Sequence, residues 1–169
     1  MKPKRLTVED IIHKAIAAQR IASEQQAHDA FRMTEKRLYA YPVIKLKIAA
    51  DRDLIEDMQQ NGAPGSSKSV IRYQKPGIRL TPDEIAEAII DDMLANIARN
   101  EHELEVIEKA LEIIKDDPYE NIVKYKYFEN KNDDEIAELM VCDASTIRRN
   151  KSRLVARLAV FLYGVEAVA

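Results

Sequence analysis

Three of the four glycines in this 169-residue chain fall between Asn61 and Leu80, and that clustering constrains the fold more than any other feature. The stretch NGAPGSSKSVIRYQKPGIRL also holds two of the six prolines and three serines. Glycine and proline punctuate secondary structure, so concentrating them in one place leaves long uninterrupted elements on either side. Those elements read as helices. Ala, Glu, Lys, Leu, Arg and Ile are abundant, aromatic residues make up 6%, and tryptophan is absent, the make-up of helical proteins. Residues 61–80 are then a loop or linker. SVIRY within it has the composition of a short strand or hairpin arm, although a plain connector is the simpler reading.

Before the linker, Thr7 or the stretch TVED caps a helix start, and Val8, Ile11, Ile12, Ala15 and Ile16 have helical spacing. From Gln19 to Ala30 the chain is polar on most faces, so this part is helical only against a partner, or frays. Phe31, Leu38 and Tyr41 resume an apolar stripe. Pro42 lacks an amide hydrogen and is expected to kink or end the first helix. Ile44, Ile48, Ile55 and Met58 then recur at helical spacing, interrupted by Asp51, up to a C-cap at Asn61-Gly62.

After the linker, Thr81-Pro82-Asp83-Glu84 is a strong helix start: a capping hydroxyl, proline at the first helical position, and acids in the first turn. The helix should run to about Lys115. Ala86, Ile90, Met93, Ile97, Asn100, Leu104, Ile107, Leu111 and Ile114 recur at alternating spacings of four and three, a heptad seam with one polar position. Two uses are open for it. It is the contact of a homo-oligomer through residues 86–114, a coiled coil, or it packs on the chain's own first helices as an antiparallel pair.

Pro118 to Phe128 reads as a short helix. Glu129 to Asn132 is turn-like, and Asn132 or Asp133 caps a helix carrying Ile136, Ala137 and Met140. A turn follows at Val141-Cys142-Asp143, and a last helix runs to about Tyr163-Gly164. Two short helices locked at a steep angle need a small residue at the crossing, a buried turn and a capped second helix. Ala137, Cys142 and Asp143 meet those needs. Ile147, Leu154, Leu158 and Phe161 make one inward stripe.

The outward residues of the last helix suit nucleic acid. The chain carries a net charge of −3, yet five basic residues and only one acid lie between Asp143 and Arg157. A basic patch on an acidic body is the footprint of a local nucleic-acid surface. Ala144, Ser145, Thr146, Arg148, Arg149, Lys151, Ser152 and Arg153 are the candidate DNA contacts. Residues at the start of a recognition helix meet base edges in the major groove. Arginine pairs with guanine in bidentate fashion, and Ser or Thr bonds base edges or phosphate. Lys151 and Arg157 suit phosphate contacts, which add affinity but no sequence choice. An ordinary amphipathic hairpin with a solvated basic face is the plainer alternative.

The string EIAELMVCDASTIRR resembles the helix-turn-helix of sigma-factor region 4. Glu135, Ile136, Ala137, Met140, Cys142, Asp143, Thr146 and Ile147 occupy the positions of that pattern. With the tail RNKSRLVARLAVFLYG and the segment LYAYPVIKLKI, the chain is similar to the ArpU-like phage transcriptional regulators. The similarity is strong over residues 118–164 and weak over 7–60. It implies an all-α protein: long N-terminal helices, then a sigma-region-4-like helix-turn-helix bundle. It also implies a regulator of phage or prophage genes, an activator of late genes, bound to double-stranded DNA and to RNA polymerase. Val141 departs from the pattern, standing where Gly or Asn is usual. If that position needs a positive φ, a β-branched residue there is strained. No segment resembles the sigma region that melts promoter DNA, so an accessory regulator fits better than an independent sigma factor.

The expected organisation is thus a helical region over 1–60 kinked near Pro42, a linker over 61–80, a seam helix over 81–117 and a DNA-binding domain over 118–164. A small terminase subunit, which recognises DNA as an oligomeric ring, is the main alternative, and an RNA polymerase-binding adaptor is another. An enzyme is the weakest reading. His13, His28 and His102 are scattered on polar faces, no glycine-rich phosphate loop exists, and Cys142 reads as a turn filler rather than a nucleophile. No metal, cofactor or catalytic residue is expected. One cysteine allows no internal disulfide. No apolar run has the length of a signal peptide or a membrane span. The expected location is therefore the cytoplasm of a bacterial host.

Overall fold

A computed structural model describes residues 8–62 and 81–167. SVIRY and the Thr7 cap lie outside the described residues, as do the side chains of the first apolar positions up to Ile12. Every regular element among the described residues is a helix, an all-α architecture. The order is α1 (Val8–Asn61), α2 (Pro82–Glu112), a short α3 (Asn121–Val123) continued by a π-helical turn (Lys124–Phe128), α4 (Asp133–Met140), α5 (Ala144–Tyr163) and a 3-10 turn (Val165–Ala167). No helix among the described residues is long and apolar enough to cross a membrane.

Pro42 does not end the first helix: α1 continues through it to Asn61. Proline in a helix interior costs about 3 kcal/mol. Packing on both sides outweighs that cost, since Leu38 before it and Ile48 after it are both buried. The polar stretch from Gln19 to Ala30 is also helical. The C-cap falls where the sequence puts it. Gly62 takes φ +80° and donates its amide to the Met58 carbonyl at 2.9 Å, a left-handed geometry that glycine adopts without strain.

The described chain divides into two compact units: the part up to Tyr39 together with everything from Glu108, and Ala40–Ile107. In the second unit the later part of α1 packs on the earlier part of α2. Met58 clusters with Ile85 and Ile89. Ile48 and Ile55 cluster with Ile97, flanked by Ile44, Ile90, Met93 and Leu104. Advancing along one helix retreats along the other, so the pair runs antiparallel. The heptad positions Ile90, Met93, Ile97 and Leu104 are thereby spent within the chain. Asp51 does not break the α1 stripe as its charge suggests. It is buried, and Lys47 one turn earlier caps its carboxylate. Thr81 starts α2 with a reciprocal capping box: its amide donates to Glu84 Oε2 at 2.7 Å, and the Glu84 amide donates back to Thr81 Oγ1 at 3.3 Å.

In the first unit, Ile122, Ile136, Ala137 and Ile147 form one buried cluster, with Tyr119, Tyr125, Met140, Cys142 and Ala144 packed around it. The expected helix over 118–128 is instead three α-helical residues and a wide turn, closed by the Glu129 amide on the Lys124 carbonyl at 3.1 Å. Tyr127 on that turn is buried; its hydroxyl donates to Glu35 Oε1 at 2.7 Å, and its ring meets Tyr39 edge-on at 4.8 Å. Burial first, and the Glu35 bond second, raise the Tyr127 phenol above its ordinary value. Earlier on α1, the buried Thr34 hydroxyl donates to the Ala30 carbonyl.

Candidate nucleic-acid interface

The candidate surface is built on α4, a three-residue turn, and α5. Asn132 caps α4. Its Oδ1 accepts from the Asp134 and Glu135 amides at 3.0 and 2.9 Å, while Glu135 Oε2 accepts from the Asn132 amide at 2.7 Å. Both ends of a capping box are present, which satisfies donors that an eight-residue helix leaves open. Ala137 is buried against Ile147, so its small side chain lets the two helices approach.

The turn carries strain where the sequence suggests it. Val141 has φ 51° and ψ 52°, left-handed backbone. The Cys142 amide reaches back to the Ala137 carbonyl at 3.0 Å, the six-to-one bond of a Schellman closure. The Val141 side chain is 91% exposed, so no packing compensates. Cys142 packs on the core cluster as a small hydrophobe. Asp143 holds the N-cap position in extended geometry, but its side chain makes no capping hydrogen bond. Its backbone carbonyl accepts the first helical bonds instead, from Thr146 and Ile147.

On α5 the inward side is Ile147, Asn150, Leu154 and Leu158, all buried. Phe161, expected on the same stripe, is 49% exposed, while its neighbours Val160 and Leu162 are half-buried. Ser145, Arg148, Arg149 and Ser152 are exposed and share one face at offsets of three, four and seven. That face narrows beyond Ser152: Val155 and Ala159 are fully buried, while Ala156, four residues after Ser152, stays exposed. Its polar part, from Ser145 to Ser152, is therefore about two turns long. Ala144 and Thr146 flank it half-buried.

The cations of α5 have different fates. Arg149 is exposed. Arg148 is 64% exposed, its Nε 3.8 Å from Asp133 Oδ2. Lys151 folds back so that its Nζ lies 3.8 Å from Asp133 Oδ1, joined there by Lys126 Nζ at 3.2 Å. Asp133 Oδ1 is fully buried and accepts no hydrogen bond, so its ion pairs hold it. Three cations surround one carboxylate, which leaves a local excess of two positive charges (three minus one). The other acids in the first turn of α4 are Asp134, which is exposed, and Glu135, which closes the capping box.

Arg153 is withdrawn from the open face. Its Nη1 and Nη2 bind Asp117 Oδ2 and Oδ1 at 2.7 and 2.8 Å, and its Nε donates to Asn150 Oδ1 at 3.2 Å. Arg157 adds a bond to Asp117 Oδ2 at 3.3 Å and one to the Ile113 carbonyl at 3.2 Å. The Arg153 guanidinium holds the Asp117 carboxyl below its ordinary value, and Asp117 raises Arg153 in return. Of the eight candidate residues, then, Ser145, Arg148, Arg149 and Ser152 come together on one open face. Ala144 and Thr146 border it, Lys151 turns to Asp133, and Arg153 belongs to an internal brace.

Sequence reasoning missed Lys126, Asp117 and Asn150. Asn150 had a signal, since it lies three residues after Ile147 and four before Leu154, inside the inward arc. Lys126 and Asp117 had none, because their partners are distant in sequence. Comparison with protein-family models, with curated proteins and with solved structures finds no match to this chain.

Proposed function

We propose that the protein is a sequence-specific DNA-binding transcriptional regulator of phage or prophage genes, of the ArpU-like kind. It is an activator of late genes that works beside RNA polymerase. In this reading α4 and α5 form a helix-turn-helix, and α5, starting at Ala144, enters the major groove. The role is one of binding and not of catalysis.

One observation carries the reading. The first two turns of α5 present Ser145, Arg148, Arg149 and Ser152 to solvent while their reverse side is fully buried. The polar side chains of this face stop at Ser152; beyond it the face narrows to the exposed Ala156 beside the buried Val155 and Ala159. The polar part is the N-terminal part, which in recognition helices meets base edges. Lys126 and Lys151 beside Asp133 supply a flanking positive field suited to phosphate.

Selection from a random duplex library at low salt, followed by gel-shift titration, tests this. The double substitution Arg148→Ala and Arg149→Ala should weaken binding to the selected site at least about tenfold, since each bidentate arginine–guanine pair is worth ~1–3 kcal/mol. A folded protein that binds no duplex at low salt sinks the proposal.

A further inference from the structure

Asp133, the first residue of α4, stands among three cations that gather round it without donating a hydrogen bond. Lys126 Nζ lies 3.2 Å from its Oδ1, Lys151 Nζ 3.8 Å from the same oxygen, and Arg148 Nε 3.8 Å from Oδ2. A charge-assisted hydrogen bond brings the nitrogen to about 2.7–2.9 Å, yet the fully buried Oδ1 accepts none. Asp117 in the same unit shows the contrast, with two nitrogens of Arg153 on its two oxygens at 2.7 and 2.8 Å. The cations round Asp133 are attracted to it but not locked to it.

Their charges are not balanced either. The side chains of Lys126 and Lys151 are only 21% and 18% exposed. Water and salt screen such sheltered charges less than exposed ones, so the lysines repel one another across a single carboxylate. Of the acids nearest in sequence, Glu129 pairs with Lys131, Glu135 closes the capping box, and Asp134 is exposed. An acid in the first turn of a helix needs only the positive helix end to justify it. It does not call for lysines from two other elements, the π-helical turn and α5.

Position indicates which anion would relieve the excess. Lys151 follows Arg148 by three residues, so the two are neighbours along α5, and Arg148 belongs to the open face with Arg149. An anion held by Lys126, Lys151 and Arg148 sits at the edge of that face. A helix lying in the major groove has backbone phosphates at its edges, and lysine is a common donor to them. We infer that these three cations form a site for one phosphate of the DNA backbone, which Asp133 fills as an internal stand-in until the duplex arrives. The carboxylate keeps the lysines gathered and competes for them, so it lowers affinity without touching a base. This rests on the DNA-binding function proposed above and adds a residue that tunes it.

Gel-shift titration of the full chain on the selected duplex and on an unrelated one, across a salt series, tests it. Asp133→Asn keeps the side-chain shape and removes the competitor. It should tighten binding to both duplexes alike, roughly tenfold at low salt. Asp134→Asn removes the same charge one residue on, at an exposed position, and should change affinity by less than about twofold. The double variant Lys126→Ala and Lys151→Ala should weaken both duplexes alike and flatten the slope of log affinity against log salt by about 0.9, the share of one phosphate. If that variant does not fold by circular dichroism, Asp133→Asn decides alone. An Asp133→Asn protein that binds no tighter than wild type, or no tighter than Asp134→Asn, overturns the inference by showing that the carboxylate only braces the fold. A folded lysine variant with an unchanged slope overturns it too, and both results leave duplex binding itself intact. A wild type that binds neither duplex at low salt is a different failure: it removes the DNA-binding function, and this site with it.

Discussion

Arg153 spans 36 residues of sequence to place two nitrogens on the two carboxylate oxygens of Asp117. The pair ties α5 to the turn that precedes α3, where Asp117 also accepts the Tyr119 amide at 3.1 Å. Arg153→Ala should cost about 1 kcal/mol of folding stability, a modest figure because the guanidinium is half in solvent. Its effect on duplex affinity should be smaller than that of Arg149→Ala, in paired gel-shift and urea-unfolding measurements.

The same pair sets an acid limit. The Asp117 carboxyl is held below its ordinary value by Arg153, so its contribution is complete above the ordinary carboxylate value near ~4. It is lost as pH falls through the lower folded value. The stability gap between wild type and Asp117→Asn should be open at neutral pH and should close progressively below about pH 4. A gap that persists unchanged in acid would refute this.

Val141→Gly should stabilise the protein by about 1 kcal/mol. A left-handed conformation costs an L-residue roughly 1–2 kcal/mol, and glycine recovers that at an entropic cost of ~0.5–1 kcal/mol. With Val141 almost wholly exposed, no buried contact is forfeited. A lower melting temperature for the glycine variant contradicts the account.

Tyr127→Phe should cost about 1–2 kcal/mol, the worth of a hydrogen bond to a charged acceptor. Burial and the Glu35 bond raise the Tyr127 phenol, so the folded state keeps its proton while the unfolded chain loses it above about pH 10. That contribution is present below pH 10 and is lost as pH rises beyond it. Wild-type stability should therefore fall more steeply than that of Tyr127→Phe in alkaline urea titrations.

Much of the fold follows from local rules. The box at Thr81, the Gly62 cap and the strained Val141 are each decided by a few neighbouring residues, and each stands where sequence reasoning expects it. Asn132 emerges as the α4 cap from two candidates because only it has Glu135 three residues on. What was not legible depends on distant partners. Pro42 signals a kink or an end, and with Leu38 and Ile48 buried the helix does not end there. Arg153 looks like its neighbours Arg148 and Arg149 until Asp117 is brought beside it. Phe161 fits the inward stripe, but no spacing rule says where the core stops.

If α5 reads the major groove as proposed, its short polar face, from Ser145 to Ser152, limits how much a single chain can say about a target. Seven residues of helix span about 10 Å, while B-DNA rises about 3.4 Å per base pair. On that proposal α5 alone would spell a word of roughly three letters, which recurs by chance about once in 64 positions against the ~10⁶ or more competing sites of a genome. Such a word is not an address. The address would lie in the distance between two words held at fixed separation, so inserting or deleting base pairs between half-sites should disturb recognition more than changing any one letter.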